Sequence, residues 1–233
     1  MSLPRLDRFL AHALQITRTD AQRLVRSRRV TVAAAEVRDP SAHVPAGSEV
    51  RVDERVVALP GQVVLMMHKP PGFVSATRDE REHTVLEVVP ADLKVRDLSP
   101  VGRLDKDATG LLLLTNDGAL LHRLTHPKRH VPRTYALTWT GELPPDAVAQ
   151  VAAGIALDDG TRCLPAELVV SGSGAGTMTV HQGMYHQVKR MIVALGGVVT
   201  TLHRTHYGPL TLGDLPLGGV RPLTAEERAA IGA

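Results

Sequence analysis

The sequence predicts an α+β fold. A small α/β module comes first, followed by a larger domain whose mixed, mainly antiparallel sheet is flanked by helices. Three observations lead there. Strand-like runs outnumber helix-like ones and several are joined at hairpin distance. The positive charge is concentrated at one end: residues 1–55 hold ten Lys/Arg against seven Asp/Glu, which is the whole excess of +3. A run of four leucines, Leu111–Leu114, ends at Asn116-Asp117-Gly118 and reads as a buried strand and its turn.

The elements follow in order. Leu6, Leu10, Ala13 and Leu14 recur at helical spacing, so a first helix spans Leu6 to Leu14. Thr19 or Asp20 can cap a second helix, which turns Ala21, Leu24 and Val25 inward. Arg23, Arg26 and Arg29 then lie near one another on this helix and at its end. With Arg18 and Arg28 they make a cationic cluster opposed locally only by Asp20, a composition that attracts phosphate backbones. Val30-Thr31-Val32 and Val50-Arg51-Val52 read as short strands.

Residues 54–62 read as a linker closing on Leu59-Pro60-Gly61, and a second domain opens with the strand Val63 to Met67. Helices are expected over Leu121–Leu124 and Pro144–Val151. Another contains Val188, Met191, Ile192 and Leu195 and is stopped by Gly196-Gly197. The turn Ser171–Gly176 joins strands near 164–170 and 177–182. It lacks the Lys-Ser/Thr and the opening helix of a phosphate-binding loop.

Composition bounds the function. With 43% hydrophobic and 22% charged residues in 233, the chain reads as globular, with one or two domains. No run approaches the roughly 18 apolar residues of a membrane span, and no signal-peptide core precedes the first helix. A single cysteine, Cys163, excludes an internal disulfide, so a cytoplasmic location is expected. His122, His126 and His130 recur every four residues, but Pro127 interrupts any helix there and no acidic or thiolate ligand follows. Asp105 and Asp107 alone are weak grounds for a glycoside-hydrolysing carboxylate pair.

The stretch Gly102-Arg103-Leu104-Asp105-Lys106-Asp107-Ala108-Thr109-Gly110 feeds a charged loop into the leucine strand. A core-braced loop is a rigid mount for a catalytic group. An Asp in such a loop, taken alone, is more often a turn cap. Its surroundings resemble the Gly-Arg-Leu-Asp signature of the RsuA-type pseudouridine synthases. The same family is matched by His68-Lys69-Pro70-Pro71-Gly72, with His68 where the family has Asn. It is matched again by Arg133-Thr134-Tyr135, with Arg133 in place of Lys, and by Gly183-Met184-Tyr185-His186-Gln187-Val188-Lys189-Arg190-Met191. Leu202-His203-Arg204 and Arg221-Pro222-Leu223-Thr224 match its closing segments. Arg5-Leu6-Asp7-Arg8-Phe9-Leu10 and the basic helix after it resemble an S4 RNA-binding domain, with Ala33-Ala34-Ala35 where many such domains carry an Asn-Gly or Asp-Gly turn.

The resemblance implies an S4-like domain over 1–58 and a catalytic domain over 63–233, acting without a cofactor or metal. It implies isomerisation of a uridine, flipped out of small-subunit (16S) ribosomal RNA, to pseudouridine. The implied roles are Asp105 as the essential carboxylate, Lys189 as its cationic partner, Tyr135 against the target base and Leu202 packing on the base from the other side. Arg103 would fill the gap in the RNA stack or hold a phosphate, the competing reading being an ion pair with Asp107. Lys128 and Arg129, with His126 and His130, form a further cationic stretch for RNA; Arg190 and Arg204 are weaker candidates. A monomer acting on rRNA or an assembling small subunit, with no membrane, is expected. Two alternatives stand beside this reading: a large-subunit (23S) rRNA synthase, and a non-catalytic ribosome-assembly factor.

Overall fold

A computed structural model describes residues 5–45, 48–57 and 61–233. The chain divides into two compact units, Met1–Gln62 and Val63–Ala233. Among the described residues no helix is long and apolar enough to cross a membrane.

In the first unit, helices α1 (Leu6–Ala13) and α2 (Arg18–Arg26) pack beside strands β1 (Val30–Val32), β2 (Ala35–Glu36), β3 (Val50–Val52) and β4 (Arg55–Val57). The sheet is antiparallel in the order β2-β1-β3-β4. Leu6, Leu10, Ala21, Val25 and Val30 are fully buried, so the apolar periodicity of both helices is spent on one small core. Leu24 is only half-buried against it.

Two sequence readings are corrected here, and the geometry of a third segment is settled. The cap of α2 is Thr17, not Thr19 or Asp20: the Thr17 hydroxyl accepts from the Asp20 amide at 3.1 Å and donates to its carboxylate at 2.6 Å. Residues 55–57 are not linker but β4, paired with β3 across a tight Asp53-Glu54 turn. Leu59 and Pro60 lie outside the described residues. The Ala33-Ala34 pair does close a two-residue hairpin, with Val32 opposite Ala35, and both alanines take left-handed φ values of 49° and 66°. That turn ordinarily selects Asn-Gly, because each L-residue held there is strained.

The second unit is one nine-stranded sheet with helices against it. Its elements run β5 (Val64–Lys69), α3 (Val85–Val88), β6 (Ser99–Val101), β7 (Thr109–Thr115), α4 (Gly118–Thr125), a single 3₁₀ turn (Pro127–Arg129) and β8 (Arg133–Thr140). Then come α5 (Ala147–Ala153), β9 (Glu167–Val170), β10 (Ala175–Val180), α6 (Gln187–Ala194), β11 (Val198–Tyr207), β12 (Leu210–Thr211), β13 (Val220–Pro222) and α7 (Ala225–Ala230). The strand order is β13-β5-β7-β11-β8-β10-β9, with β6 on β7 and β12 on β11. Only the β7–β11 pairing is parallel, so the sheet is mixed and mainly antiparallel.

The central strand β7 explains its own composition. Leu112 and Leu114 face one core with Tyr135, Leu137, Val188 and Met191, while Leu111 and Leu113 face another with Leu120, Leu124 and Tyr207. A strand covered on both faces has no polar alternation. Asn116-Asp117-Gly118, the turn that closes the leucine strand, is the joint between β7 and α4. Asp117 caps α4 by accepting from the amides of Ala119 at 2.9 Å and Leu120 at 3.1 Å. On the opposite flank, α6 buries Val188, Met191 and Ile192 into the first core, and Gly196 ends it at φ 90°.

Candidate active site

The loop from Gly102 to Ala108 enters β7 with little regular hydrogen bonding of its own, and buried side chains supply the missing partners. Ser75 clamps Leu104 from both sides: its hydroxyl donates to the Leu104 carbonyl at 2.9 Å and accepts from the Leu104 amide at 3.0 Å. Lys69, fully buried at the end of β5, donates to the carbonyls of Pro70, Lys106 and Ala108 at 3.1, 3.2 and 2.8 Å. An ammonium has three donors, and here each meets a loop oxygen. Burial pushes the Lys69 ammonium down to about 8, against the opposing pull of Asp107 and Asp105. The Gly72 amide adds a further bond to the Lys106 carbonyl at 2.8 Å.

Arg204 secures the same loop from below. It is fully buried on β11, donating through Nε to the Leu111 carbonyl at 2.7 Å and through Nη1 to the Arg103 carbonyl at 3.2 Å. Its guanidinium lies 5.2 Å from the Tyr207 ring centre and 6.0 Å from that of Tyr135. The parallel β7–β11 pairing sets Arg204 beside Gly110, where an added Cβ would come within 2.3 Å of the Arg204 carbonyl oxygen. Arg204 is therefore a brace of the fold and not the RNA contact suggested by its charge. Arg190 is likewise occupied, by Asp158 and by Asp159 at 2.7 Å, and it does not line the cavity described below.

On this braced loop Asp105 is held from two sides. The Lys189 ammonium stands 3.2 Å from one carboxylate oxygen and the His186 Nε2 stands 3.4 Å from the other. Lys189, the third residue of α6, also meets both oxygens of Asp107 at 2.7 and 2.8 Å. Burial lowers the Lys189 ammonium, but its bonds to the two aspartates outweigh that and raise it. The Lys189 bond holds the Asp107 carboxyl below its usual range. Asp107 thus takes the shorter contacts and anchors the lysine, leaving Asp105 the looser ones. The side chain of Asp105 remains about a quarter exposed.

That exposure opens into a cavity of about 660 Å³ lined by Asp105, Arg103, Tyr135, Leu202, Tyr185 and His186, among others. The volume lies in the range of small-molecule and cofactor sites. Tyr135 and Leu202 are both buried wall residues, from the neighbouring strands β8 and β11. Arg103 is exposed at the edge, and the ion pair with Asp107 weighed from the sequence does not form, since Lys189 takes that carboxylate. Arg133, which departs from the expected Lys, is buried in the wall with its guanidinium 5.2 Å from the Tyr207 ring centre. His68, the other departure, reaches the Leu215 carbonyl with Nδ1 at 2.8 Å and stacks edge-on against His203. Lys128 and Arg129 are exposed on the 3₁₀ turn, a few residues past Thr125 of the cavity wall, and do not line it.

Three participants escaped the sequence reading. Ser75 carried no signal. Asp107 stands out in the sequence only as a partner for Arg103 or as half of a carboxylate pair. His186 lay inside a quoted motif, but its approach to Asp105 depends on a left-handed φ of 49° immediately before α6. In the first unit, the cationic cluster is less free than local counting suggested. Arg18 pairs with the buried Asp7 at 3.0 Å, Arg23 with Asp20 at 3.1 Å, and Arg29 meets Asp53 with two prongs. Arg26 and Arg28 are exposed and have no ion-pair partner among the described residues.

Known proteins resemble this chain along most of its length. The model of the RNA pseudouridylate synthase family matches residues 63–194, and that of the S4 domain matches residues 4–50. Ribosomal small subunit pseudouridine synthase A of Pseudomonas aeruginosa is 41% identical, over 97% of this chain and 100% of its own. The protein of the same name from Escherichia coli strain K12 is 38% identical, over 97% and 99%. A crystal structure of a pseudouridylate synthase superposes with a TM-score of 0.69 at 33% identity, covering 99% of this chain and 100% of that one. With these matches running from the S4 segment through the braced aspartate loop to α6, the chain belongs to the RNA pseudouridylate synthase family and is an RNA pseudouridine synthase with an S4 domain.

Proposed function

We propose that this enzyme isomerises one uridine of small-subunit (16S) ribosomal RNA, in the cytoplasm and as a monomer, with Asp105 as its catalytic carboxylate. The observation that carries the assignment of Asp105 is its setting. It is a carboxylate on a loop fixed by Lys69, Ser75 and Arg204, held by Lys189, and open to a cavity walled by Tyr135 and Leu202. The ribosomal target rests on the names of the relatives from Pseudomonas and Escherichia.

The reaction breaks the N1–C1′ bond, turns the uracil within the site, and forms a C5–C1′ bond. The C5 proton leaves and N1 regains one, so no redox partner and no external nucleophile enter the balance. A uridine in folded RNA reaches such a cavity only by leaving its stack. Tyr135 and Leu202 then bracket the base, and Arg103 at the rim fills the vacated position or holds a phosphate. Asp105 serves either as nucleophile at C1′ or as base toward the C2′ proton. Either role needs an ionised carboxylate, and the Lys189 ammonium stands 3.2 Å from it as its countercharge. The first unit grips the phosphate backbone through its exposed arginines, Arg26 and Arg28 foremost.

The test maps pseudouridine in ribosomal RNA from cells lacking the protein, rescued by wild type or by Asp105→Asn. One small-subunit site should vanish and return only with wild type. Loss of a large-subunit site instead would overturn the target, and rescue by Asp105→Asn would overturn the catalytic assignment.

A further inference from the structure

Tyr185 is the feature that the proposed reaction leaves unused. The chain has only three tyrosines, two phenylalanines and one tryptophan. Tyr135 and Tyr207 are buried, whereas Tyr185 is 75% exposed at the edge of the cavity that holds Asp105. Leaving a large aromatic ring in water forgoes its burial energy, which is unusual without a partner to cover it.

The ring is not free to wander. It stacks on the His186 imidazole with centroids 3.9 Å apart and planes 16° from parallel. His186 is in turn fixed by its left-handed backbone at the start of α6 and by its approach to Asp105. One face of Tyr185 is therefore taken by His186, while its exposure leaves the other open. A pre-ordered aromatic face saves the side-chain ordering cost of binding. Its chemistry suits a nucleobase, since every base has a π-face and stacks on an aromatic ring whatever its sequence.

We propose that Tyr185, backed by His186, is a platform on which a base flanking the target uridine stacks when that uridine enters the cavity. Resting on the proposed reaction at Asp105, this adds a substrate-positioning residue outside the bracket of Tyr135 and Leu202. Arg103, exposed and lining the same cavity, is placed to meet the adjoining backbone.

The experiment compares wild type, Tyr185→Phe, Tyr185→Leu and Tyr185→Ala in steady-state turnover of small-subunit ribosomal RNA, naked or in particles, whichever the wild type modifies. Thermal melting checks the folding of each variant. Base stacking on an aromatic ring predicts a KM rise of about tenfold for Ala, nearly as much for Leu, and little for Phe, with kcat within about threefold. A KM unchanged in the Ala and Leu variants would overturn the platform. So would a fall in kcat at constant KM, which would mean that Tyr185 acts only by holding His186 against Asp105. The Asp105→Asn control keeps the two readings apart. If it turns over normally, the catalytic assignment fails; if it is inert while Tyr185→Ala behaves as wild type, only the platform fails.

Discussion

Each unit of this protein holds a carboxylate between two basic side chains, and the two sites are built for opposite ends. Asp7 in the first unit is fully buried and receives five hydrogen bonds, from Arg5, Arg18 and Gln22, at 3.0 to 3.3 Å. Asp105 in the second is a quarter exposed and has two contacts, at 3.2 and 3.4 Å. A carboxylate has room for about four acceptor bonds. Asp7 is saturated and has no capacity left for chemistry, whereas Asp105 keeps lone pairs facing a cavity. Charge pairing alone does not tell the two carboxylates apart; unfilled acceptor capacity beside a cavity does.

The largest effect expected from this contrast is at Asp105. Asp105→Asn keeps the shape and removes the ionised oxygen, so turnover should fall by about 10³-fold or more. Because the side chain is partly exposed and loosely held, the melting temperature should barely move. A variant that unfolds as readily as it loses activity would erase the distinction between the two sites. Lys189→Gln comes next. It removes the cation from Asp105 and also releases Asp107, and a loss of about 10²-fold in kcat is expected with RNA affinity little changed. Equal loss in an Asp107→Asn variant would mean that the anchor matters as much as the pair.

Asp7→Asn should do the reverse, costing about 2–3 kcal/mol of stability in the first unit while leaving the chemical step of the folded enzyme intact. The cost is modest because Arg5 and Arg18 are themselves about half exposed and would be rehydrated. The same site gives a pH signature. Burial alone would raise the Asp7 carboxyl, but the bonds from Arg5, Arg18 and Gln22 hold it far below the carboxylate range. Its folded value is depressed, so its contribution is complete above the unfolded value of about 3.9 and is lost as pH falls through the folded one. Acid unfolding monitored in the first unit should steepen below about pH 4 in wild type and lose that component in Asp7→Asn.

How much of this the sequence disclosed follows the reach of each interaction. The leucine strand, the periodic helices and the Asp105 loop were legible because they are local or carried by motifs. The roles of Arg18 and Arg29 were not, because their partners Asp7 and Asp53 lie 11 and 24 residues away. Local charge counting saw only Asp20. Arg204 was misread because arginines are rarely buried. The one available hint was Gly110, whose missing side chain lets β11 come close enough to seat Arg204 under the loop. Strand β4 escaped because it follows two consecutive left-handed residues, Asp53 and Glu54, where the composition suggests a linker.

The smallest effects should separate open from occupied groups among the cations as well. Arg26 and Arg28 have no acidic partner among the described residues, whereas Arg29 lies against Asp53 with two prongs. A phosphate must displace Asp53 to reach Arg29 but need displace only water at Arg26 and Arg28. In RNA-binding titrations across salt concentrations, each free arginine replaced by alanine should flatten the log–log salt slope by about 0.7–0.9, so the double variant loses about 1.5. Arg29→Ala should change the slope by less than half of one contact, because a paired guanidinium releases few counterions. An equal change at Arg29 would show that RNA opens the Asp53 pair. The rule that occupied groups stay out of function would then hold for the buried carboxylate Asp7 and fail at the solvent-exposed surface, where water has already made the exchange of partners cheap.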